Sequence, residues 1–415
     1  MPKTNYSPLL ILIFFYLLID TYVFNGIKVL SSAISTKDQM INYGWWILSI
    51  SVLIYTTAVF AKSLSEQKMN KRFQTALNVF LAVLFSKLVF IAFLLAGDVF
   101  RVAFYFFKSV FNSQTVFPSS SVWFTSVGFF SAIVSCCVFI FGVIFGKYRY
   151  KVHNHTLYFD DLPEAFDGFT IAQISDIHAG SFDDMSQVQK GVDLVNAQKP
   201  DLFLFTGDLV NNSASEIEPY LEIFKKIKAP YGCFSILGNH DYGDYVKWPS
   251  QLQKDTNLAL LKSYHRELGY ELLLDEHRLI HKDGQYIAIV GVENWGHGFG
   301  QRGDLTKALK GLNAADYKIL MSHDPSHWDA QVKSNPNKVN LTLSGHTHGM
   351  QFGIEIGKFK WSPVKYRYPN WAGLAQNNGK YLYVNRGFGF LGFSGRIGIW
   401  PEITLIKLKR NNAEA

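Results

Sequence analysis

The chain has 415 residues, 48% of them hydrophobic, a formal charge of +7 at pH 7 and three cysteines. That length exceeds one ordinary domain and predicts two parts. The mild charge comes without a dense Lys/Arg stripe, which argues against nucleic-acid binding, and an odd, sparse cysteine set excludes a disulfide framework or zinc knuckle.

Apolar runs dominate the first part. Four stretches, at about 8–30, 43–61, 76–96 and 122–145, approach the ~20 residues a bilayer core demands and are predicted transmembrane helices. The first is too long for a signal peptide, has no small-residue cleavage site, and is followed by more spans. Lys3, Lys62, Lys68, Lys71, Arg72, Lys147, Arg149 and Lys151 flank one side of the spans. Lys28, Lys37, Arg101 and Lys108 flank the other, so the positive-inside rule places both termini in the cytoplasm. The basic surface suits anionic headgroups. Asp20 and Lys87 fall inside spans one and three; they read as an interhelical ion pair or snorkelling ends, with a functional role as the alternative. Residues 98–108 (DVFRVAFYFFK) either lie along the interface or extend span three. Cys136, Cys137 and Cys233 read as buried small hydrophobes. The expected division is a four-helix transmembrane region over 1–147 and a second domain over 148–415.

From Tyr148 onward short apolar strands alternate with polar turns and helical segments. Residues 169–175, 201–206 and 232–237 read as buried strands, and 185–198 and 216–228 as helices. Strand patterns recur at 286–290, 318–321, 339–343, 381–384 and 403–408. Alternating strands and helices predict an α/β fold with covered sheets, whose ligands sit at strand C-terminal ends.

Five of these apolar runs end in metal-ligand residues: Asp176-Ile177-His178, Gly207-Asp208, Gly238-Asn239-His240-Asp241, Ser322-His323 and Gly345-His346-Thr347-His348. One such ending is weak; five in order point to a two-metal site hydrolysing at phosphorus. Mixed oxygen and imidazole ligands suit hard and borderline dications. Asp208, midway in the ligand list, is the natural bridge between cations about 3.5–4 Å apart.

Over roughly residues 165–410 the sequence resembles the calcineurin-like metallophosphoesterase superfamily, whose motifs read D-x-H, G-D, G-N-H-[DE], a lone His and G-H-x-H. Tyr383-Val384-Asn385-Arg386-Gly387 and Trp400-Pro401-Glu402-Ile403 resemble its membrane-anchored branch, the transmembrane proteins with a metallophosphoesterase domain. The resemblance implies a layered αββα domain behind the four helices. It implies that Asp176, His178 and His348 bind one metal, that Asn239, His323 and His346 bind the second, and that Asp208 bridges them. It further implies that His240 is the catalytic proton donor, that Asp241 orients it, and that a hydroxide between the metals is the nucleophile.

Weaker candidates remain. Arg386 and Arg396 flank the glycine-rich stretch 387–398 and suit a phosphate, or are simple loop cations. His297, in the loop Trp295-Gly296-His297-Gly298-Phe299-Gly300, is a candidate for the substrate entrance. His153, His155, His265, His277, His281 and His327 read as surface or loop residues. Residues 361–371 (WSPVKYRYPNW) suit an interfacial belt or headgroup lid, or an ordinary surface loop.

The expected protein is a phosphohydrolase of a bacterial inner membrane with a cytoplasmic catalytic domain and two divalent ions, Mn2+ favoured over Fe or Zn2+. Its expected partners are the lipid bilayer and a phospholipid or lipid-linked phosphoester or pyrophosphate; UDP-2,3-diacylglucosamine is one such substrate the resemblance suggests. The alternatives are a tethered phosphodiesterase acting on a soluble nucleotide, and a sensor or transport protein with a regulatory phosphoesterase domain.

Overall fold

The computed structural model describes residues 6–34, 38–66, 71–111, 116–357 and 359–411. The chain divides into two compact units, 1–144 and 145–415.

The first unit is four helices: α1 (Ser7–Ile34), α2 (Asp38–Glu66), α3 (Lys71–Phe111) and α4 (Val122–Ile144). Each is long and apolar enough to cross a membrane. The 98–108 stretch extends span three, and its Asp98 accepts from Tyr22 Oη (2.7 Å) and from Arg101 (2.8 Å). Small residues let the helices close together: a Cβ at Gly26 would lie 2.8 Å from Phe90, and one at Gly128 2.6 Å from Phe93. Lys87 and Asp20 are buried as an interhelical pair, Nζ to Oδ1 2.7 Å; Lys87 also donates to Ser49 Oγ (2.8 Å) and lies 3.8 Å from the centre of the Tyr16 ring. The cysteines are free and not fully buried: Cys136 and Cys233 are half-buried and Cys137 is exposed. The packed face of α4 runs through Thr125, Gly128, Phe139 and Gly142, and neighbouring residues on a helix point in different directions.

In the second unit, β1 (Lys151–Phe159), β2 (Thr170–Ile174), α5 (Met185–Ala197), β3 (Leu202–Phe205), α6 (Leu221–Phe224), β4 (Cys233–Ser235), α7 (Gln251–Leu268) and β5 (Glu271–Leu272) come first. Then follow β6 (Glu276–Lys282), β7 (Gln285–Gly291), α8 (Leu305–Ala308), β8 (Lys318–Met321), β9 (Leu341–Ser344), β10 (Ile354–Ile356), β11 (Phe359–Trp361), β12 (Gly373–Asn377), β13 (Lys380–Val384) and β14 (Glu402–Arg410). One six-stranded sheet has the order β1-β14-β2-β3-β4-β5 and the other β12-β13-β9-β8-β7-β6, with β10-β11 a separate hairpin.

Strand alternation builds the layers. Ile171, Leu202, Leu204, Ile287, Ile289, Ile319, Met321, Leu341 and Leu343 meet in one core shared by both sheets. Their neighbours Ala172, Phe203 and Phe205 face α5, α6 and α7 with Val188, Val192 and Leu261. Ala288, Val290 and Leu320 face the opposite layer with Leu305, Ala308 and Trp328. The result is the αββα sandwich, and β2–β3–β4 and β8–β9 run parallel within their sheets, so in each sheet the C-terminal ends share one edge.

Two further expectations are corrected. Residues 216–228 do not form one helix: Pro219 cannot donate a backbone N–H, and the segment breaks into 3-10 turns (Glu218–Tyr220 among them) and the four-residue α6. His265 and His327 are core residues rather than surface ones. Burial holds both imidazoles well below the usual range, to about 3 and about 4, and their Nδ1 atoms pair with Ser235 Oγ (2.9 Å) and Ser322 Oγ (2.8 Å).

Candidate metal centre

Each ligand candidate lies two to four residues beyond a strand end, and His240 five. Asp176 and His178 follow β2, Asp208 follows β3, Asn239 and His240 follow β4, His323 follows β8, and His346 and His348 follow β9. There the chain must turn sharply while keeping side chains pointed inward. Asp176, His178, Asp208, His346 and His348 all take left-handed backbone angles, φ between 48° and 70°. Such angles are costly for residues with a Cβ and mark functional turns. Gly345 packs against Ser175 and Asp176, where a side chain would collide.

The loops bring two groups together. The ligand atoms of Asp176, His178 and His348 lie within 4.8 Å of one another, as do those of Asp208, His323 and His346. Asn239 joins the second group, its Oδ1 3.2 Å from His323 Nε2 and 2.8 Å from His346 Nδ1. Asp208 Oδ2 lies between the groups, 3.5 Å from His178 Nε2 and 3.1 Å from His323 Nε2.

These residues fit a pair of dications. His178 Nε2 and His348 Nε2 face each other at 3.0 Å, and His178 Nδ1 is buried without a partner. Burial pushes His178 down to about 3 and His346 to about 4, which leaves neutral imidazoles with free lone pairs. Burial would also lower His323, but the Asp208 carboxylate beside it overrides this and raises it to about 10. The Asp208 carboxylate thus calls for positive charge at the place where a cation would supply it.

Other side chains set the ligands. His323 Nδ1 donates to the Thr206 carbonyl at 2.7 Å, which aims Nε2 inward. His346 Nε2 faces Tyr368 Oη (3.0 Å) and the buried carboxylate of Asp324 (3.4 Å), and Tyr368 Oη donates to Asp324 (3.2 Å). Orienting groups of this kind usually matter nearly as much as the ligands themselves. Asp324 was readable only as a neighbour of His323; nothing in the sequence ties Tyr368 to the site.

His240 is half-buried at the rim. Its Nδ1 donates to the Asn211 carbonyl (2.8 Å), and its ring lies 4.9 Å from that of His178 and 4.4 Å from that of Tyr245. Asp241 does not orient it. The Asp241 carboxylate accepts four backbone N–H groups, from Asp208 (2.9 Å), Leu209 (2.8 Å), Val210 (3.2 Å) and Gly238 (2.8 Å), and so latches the Asp208 loop to the Asn239 loop.

The arginines expected at a phosphate are instead buried. Arg386 spans Glu402 (2.5 Å) and Glu355 (2.7 Å). Arg396 donates to the carbonyls of Arg386 (2.8 Å) and Gly389 (2.6 Å), and approaches His348 Nδ1 at 3.3 Å, so it ties the glycine-rich loop behind the ligands. Protein acceptors occupy most of these guanidinium donors, Arg386 Nε and Arg396 Nη1 being buried without a hydrogen-bond partner, and both side chains are buried. His297 is exposed; Phe299, from the same loop, borders the site, its ring 4.6 Å from that of His346.

Comparison with known proteins finds two family profiles along the chain. Residues 6–147 match the profile of the probable calcineurin-like phosphoesterase transmembrane domain, and residues 169–350 that of the calcineurin-like phosphoesterases. The uncharacterized metallophosphoesterase YkuE of Bacillus subtilis is 31% identical over 62% of this chain and 85% of its own. The transmembrane proteins with metallophosphoesterase domain of Danio rerio and Bos taurus are each 28% identical. The matches cover 67% and 60% of this chain but only 62% and 54% of theirs, under two thirds of their length. With its ordered ligands gathered at one edge of an αββα sandwich that follows, in sequence, four helices apolar enough to cross a membrane, the chain belongs to the calcineurin-like metallophosphoesterase family, as a metal-dependent phosphoesterase.

Proposed function

We propose that the protein hydrolyses a lipid-linked phosphoester or pyrophosphate at the cytoplasmic face of a bacterial inner membrane, UDP-2,3-diacylglucosamine being one such substrate. The observation that carries this reading is attachment: residues 145–150 alone separate the membrane-spanning α4 from β1 of the catalytic unit. The orientation rests on the basic residues that flank the spans, weighted to the side of the termini.

Asp176, His178 and His348 would hold one divalent ion, Asn239, His323 and His346 the other, and Asp208 both. Manganese is the ion we favour, and reconstitution separates it from iron and zinc. When bound, such a pair supplies Lewis acidity and lowers the pKa of water. The protein's own groups do the rest. His240 keeps Nδ1–H on the Asn211 carbonyl, so it acts as donor in its imidazolium form: the second proton, on Nε2, passes to the leaving oxygen and leaves the neutral Nδ1–H ring. Tyr245, its ring tilted 30° against that of His240 and its hydroxyl accepting from Asn239 Nδ2 (2.8 Å), fixes the ring at the rim. Arg396, Tyr368 and Asp324 fix the imidazoles behind.

The test is phosphate release by the purified full chain loaded with Mn2+, on lipid phosphoesters and pyrophosphates and on soluble aryl phosphodiesters. Preferred cleavage of a lipid substrate is expected. Cleavage of aryl phosphodiesters with every lipid phosphoester left intact would overturn the lipid reading in favour of a tethered nucleotide phosphodiesterase.

A further inference from the structure

The hairpin β10–β11 is built inside out. Its register pairs Ile354 with Trp361, Glu355 with Lys360 and Ile356 with Phe359. Cross-strand partners share a face, so Ile354, Ile356, Phe359 and Trp361 form one side and Glu355 and Lys360 the other. In a water-soluble protein the apolar side would face the body. Here the polar side does: Glu355 accepts from Arg386 (2.7 Å), and Lys360 Nζ donates to the Ala372 carbonyl. Most of the apolar side is turned to solvent: Ile356 is 74%, Phe359 62% and Ile354 47% exposed, while Trp361 is half-buried. Met350 and Tyr366, 57% and 78% exposed, are further large side chains left uncovered in the flanking segments.

An exposed apolar patch of this kind marks a contact surface. We infer that the β10–β11 hairpin is a membrane-docking element, which inserts Ile356 and Phe359 into the interfacial region of the bilayer. The bilayer is the occupant the composition favours. Trp361 and Tyr366 beside the exposed cations Lys365 and Arg367 are the residue mixture of a membrane–water interface, and the cations complement anionic headgroups. The same polypeptide carries four helices long and apolar enough to cross a bilayer, within a matched transmembrane domain. The anchor is firm: Arg386 grips Glu355 of the hairpin with one end of its guanidinium and the buried Glu402 of β14 with the other. This gives Arg386 a task other than phosphate binding. The hairpin also follows directly on the His346–His348 loop, so docking would hold the site's entrance next to the lipid surface. The inference stands on the hairpin and is independent of which phosphoester is cleaved.

The test uses the full chain, with Cys136, Cys137 and Cys233 replaced, in nanodiscs of phosphatidylethanolamine and phosphatidylglycerol. Ile356→Cys carries an environment-sensitive fluorophore, and Leu279→Cys, exposed on β6, is the control. Blue-shifted emission at 356, quenched several-fold more by lipids bearing a quencher on their acyl chains than at 279, is the expected result. Water-like, unquenched emission at 356 would overturn it. Shielding that ignores the lipid quencher and rises with protein concentration would also overturn it, in favour of contact between copies. In a second arm, Ile356→Asp with Phe359→Asp should lower kcat/KM on a vesicle-borne phosphoester several-fold and leave hydrolysis of a soluble aryl phosphoester unchanged. An equal loss on both substrates would overturn docking in favour of a structural role. If no lipid phosphoester is cleaved at all, the substrate reading fails while the fluorescence arm still decides docking.

Discussion

Asp241→Asn separates a latch from a proton relay. In the native site Oδ2 accepts from Asp208 N and Gly238 N, and Oδ1 from Leu209 N and Val210 N. The amide keeps the shape but turns one oxygen into a donor, so two buried N–H groups lose their acceptor. At ~1–3 kcal/mol for each unsatisfied buried donor, the loop should open ~2–6 kcal/mol more easily, limited by the stability of the whole unit. Hydrogen exchange of residues 207–211 in the full chain should speed up ~30-fold or more, since 1.4 kcal/mol is a factor of ten. Metal content should fall with it, because Asp208 is placed by the same loop. Exchange mass spectrometry and elemental analysis read both quantities. Native protection at 207–211 together with full metal content and a large loss of kcat would refute the latch and return Asp241 to His240.

The other substitutions divide by what each side chain touches. His240→Gln should keep both ions and lower kcat by ~10²–10⁴, most for substrates with poor leaving groups, as measured by kcat against leaving-group pKa. Asp324→Asn should weaken metal affinity ~10–100-fold, because His346 loses its carboxylate partner; titration calorimetry checks it. Glu402 should shape acid stability. Burial alone would raise its pKa, but Arg386 holds it down at about 2 against the usual 4.5. Its contribution is therefore complete above pH ~4.5 and lost as pH falls toward 2, worth ~3 kcal/mol. In the metal-free protein Glu402→Gln should flatten that acid limb, and identical acid-unfolding curves would contradict the assignment.

The ligands were legible because the sequence ends apolar runs abruptly in Asp, Asn and His, and strand ends of an α/β sandwich converge by topology. Longer-range partners were not. Tyr368 lies far along the chain from His346, and only the folded loops bring them together. Asp241 misleads for a local reason: His240 and Asp241 are adjacent on a 3-10 turn, and consecutive residues on a helical turn point apart. The two arginines mislead through composition, since a Gly-rich stretch with Arg reads equally as a phosphate loop or a buried brace. The helix α7 is hard to read because its buried stripe is Asn257, Leu261, His265 and Leu268, and two of those four are polar. Asn257 sits there because Oδ1 accepts from Ala214 N (2.8 Å) and Nδ2 donates to the Asn212 carbonyl (3.1 Å), a use of polarity that periodicity counts as exposure.

Five ligands in left-handed backbone would each cost about 1–3 kcal/mol were they held by nothing else. Asp176, His178, Asp208 and His346 are held by one another and by neighbouring loops. Asp176 N donates to the Gly207 carbonyl (2.9 Å) and His178 N to that of Asp208 (3.1 Å). His346 N donates to the Asp176 carboxylate (3.0 Å), and Gly389 N to the Asp176 carbonyl (2.9 Å). None of these bonds requires a cation, so the turns are set by the loops themselves and binding should find the ligands in place. Metal loading should therefore leave exchange protection at residues 176–178 and 207–210 nearly unchanged, while thermal stability rises with ion concentration by mass action. Large gains in protection confined to these turns would show that the ion, and not the interlocked backbone, holds them in the left-handed region.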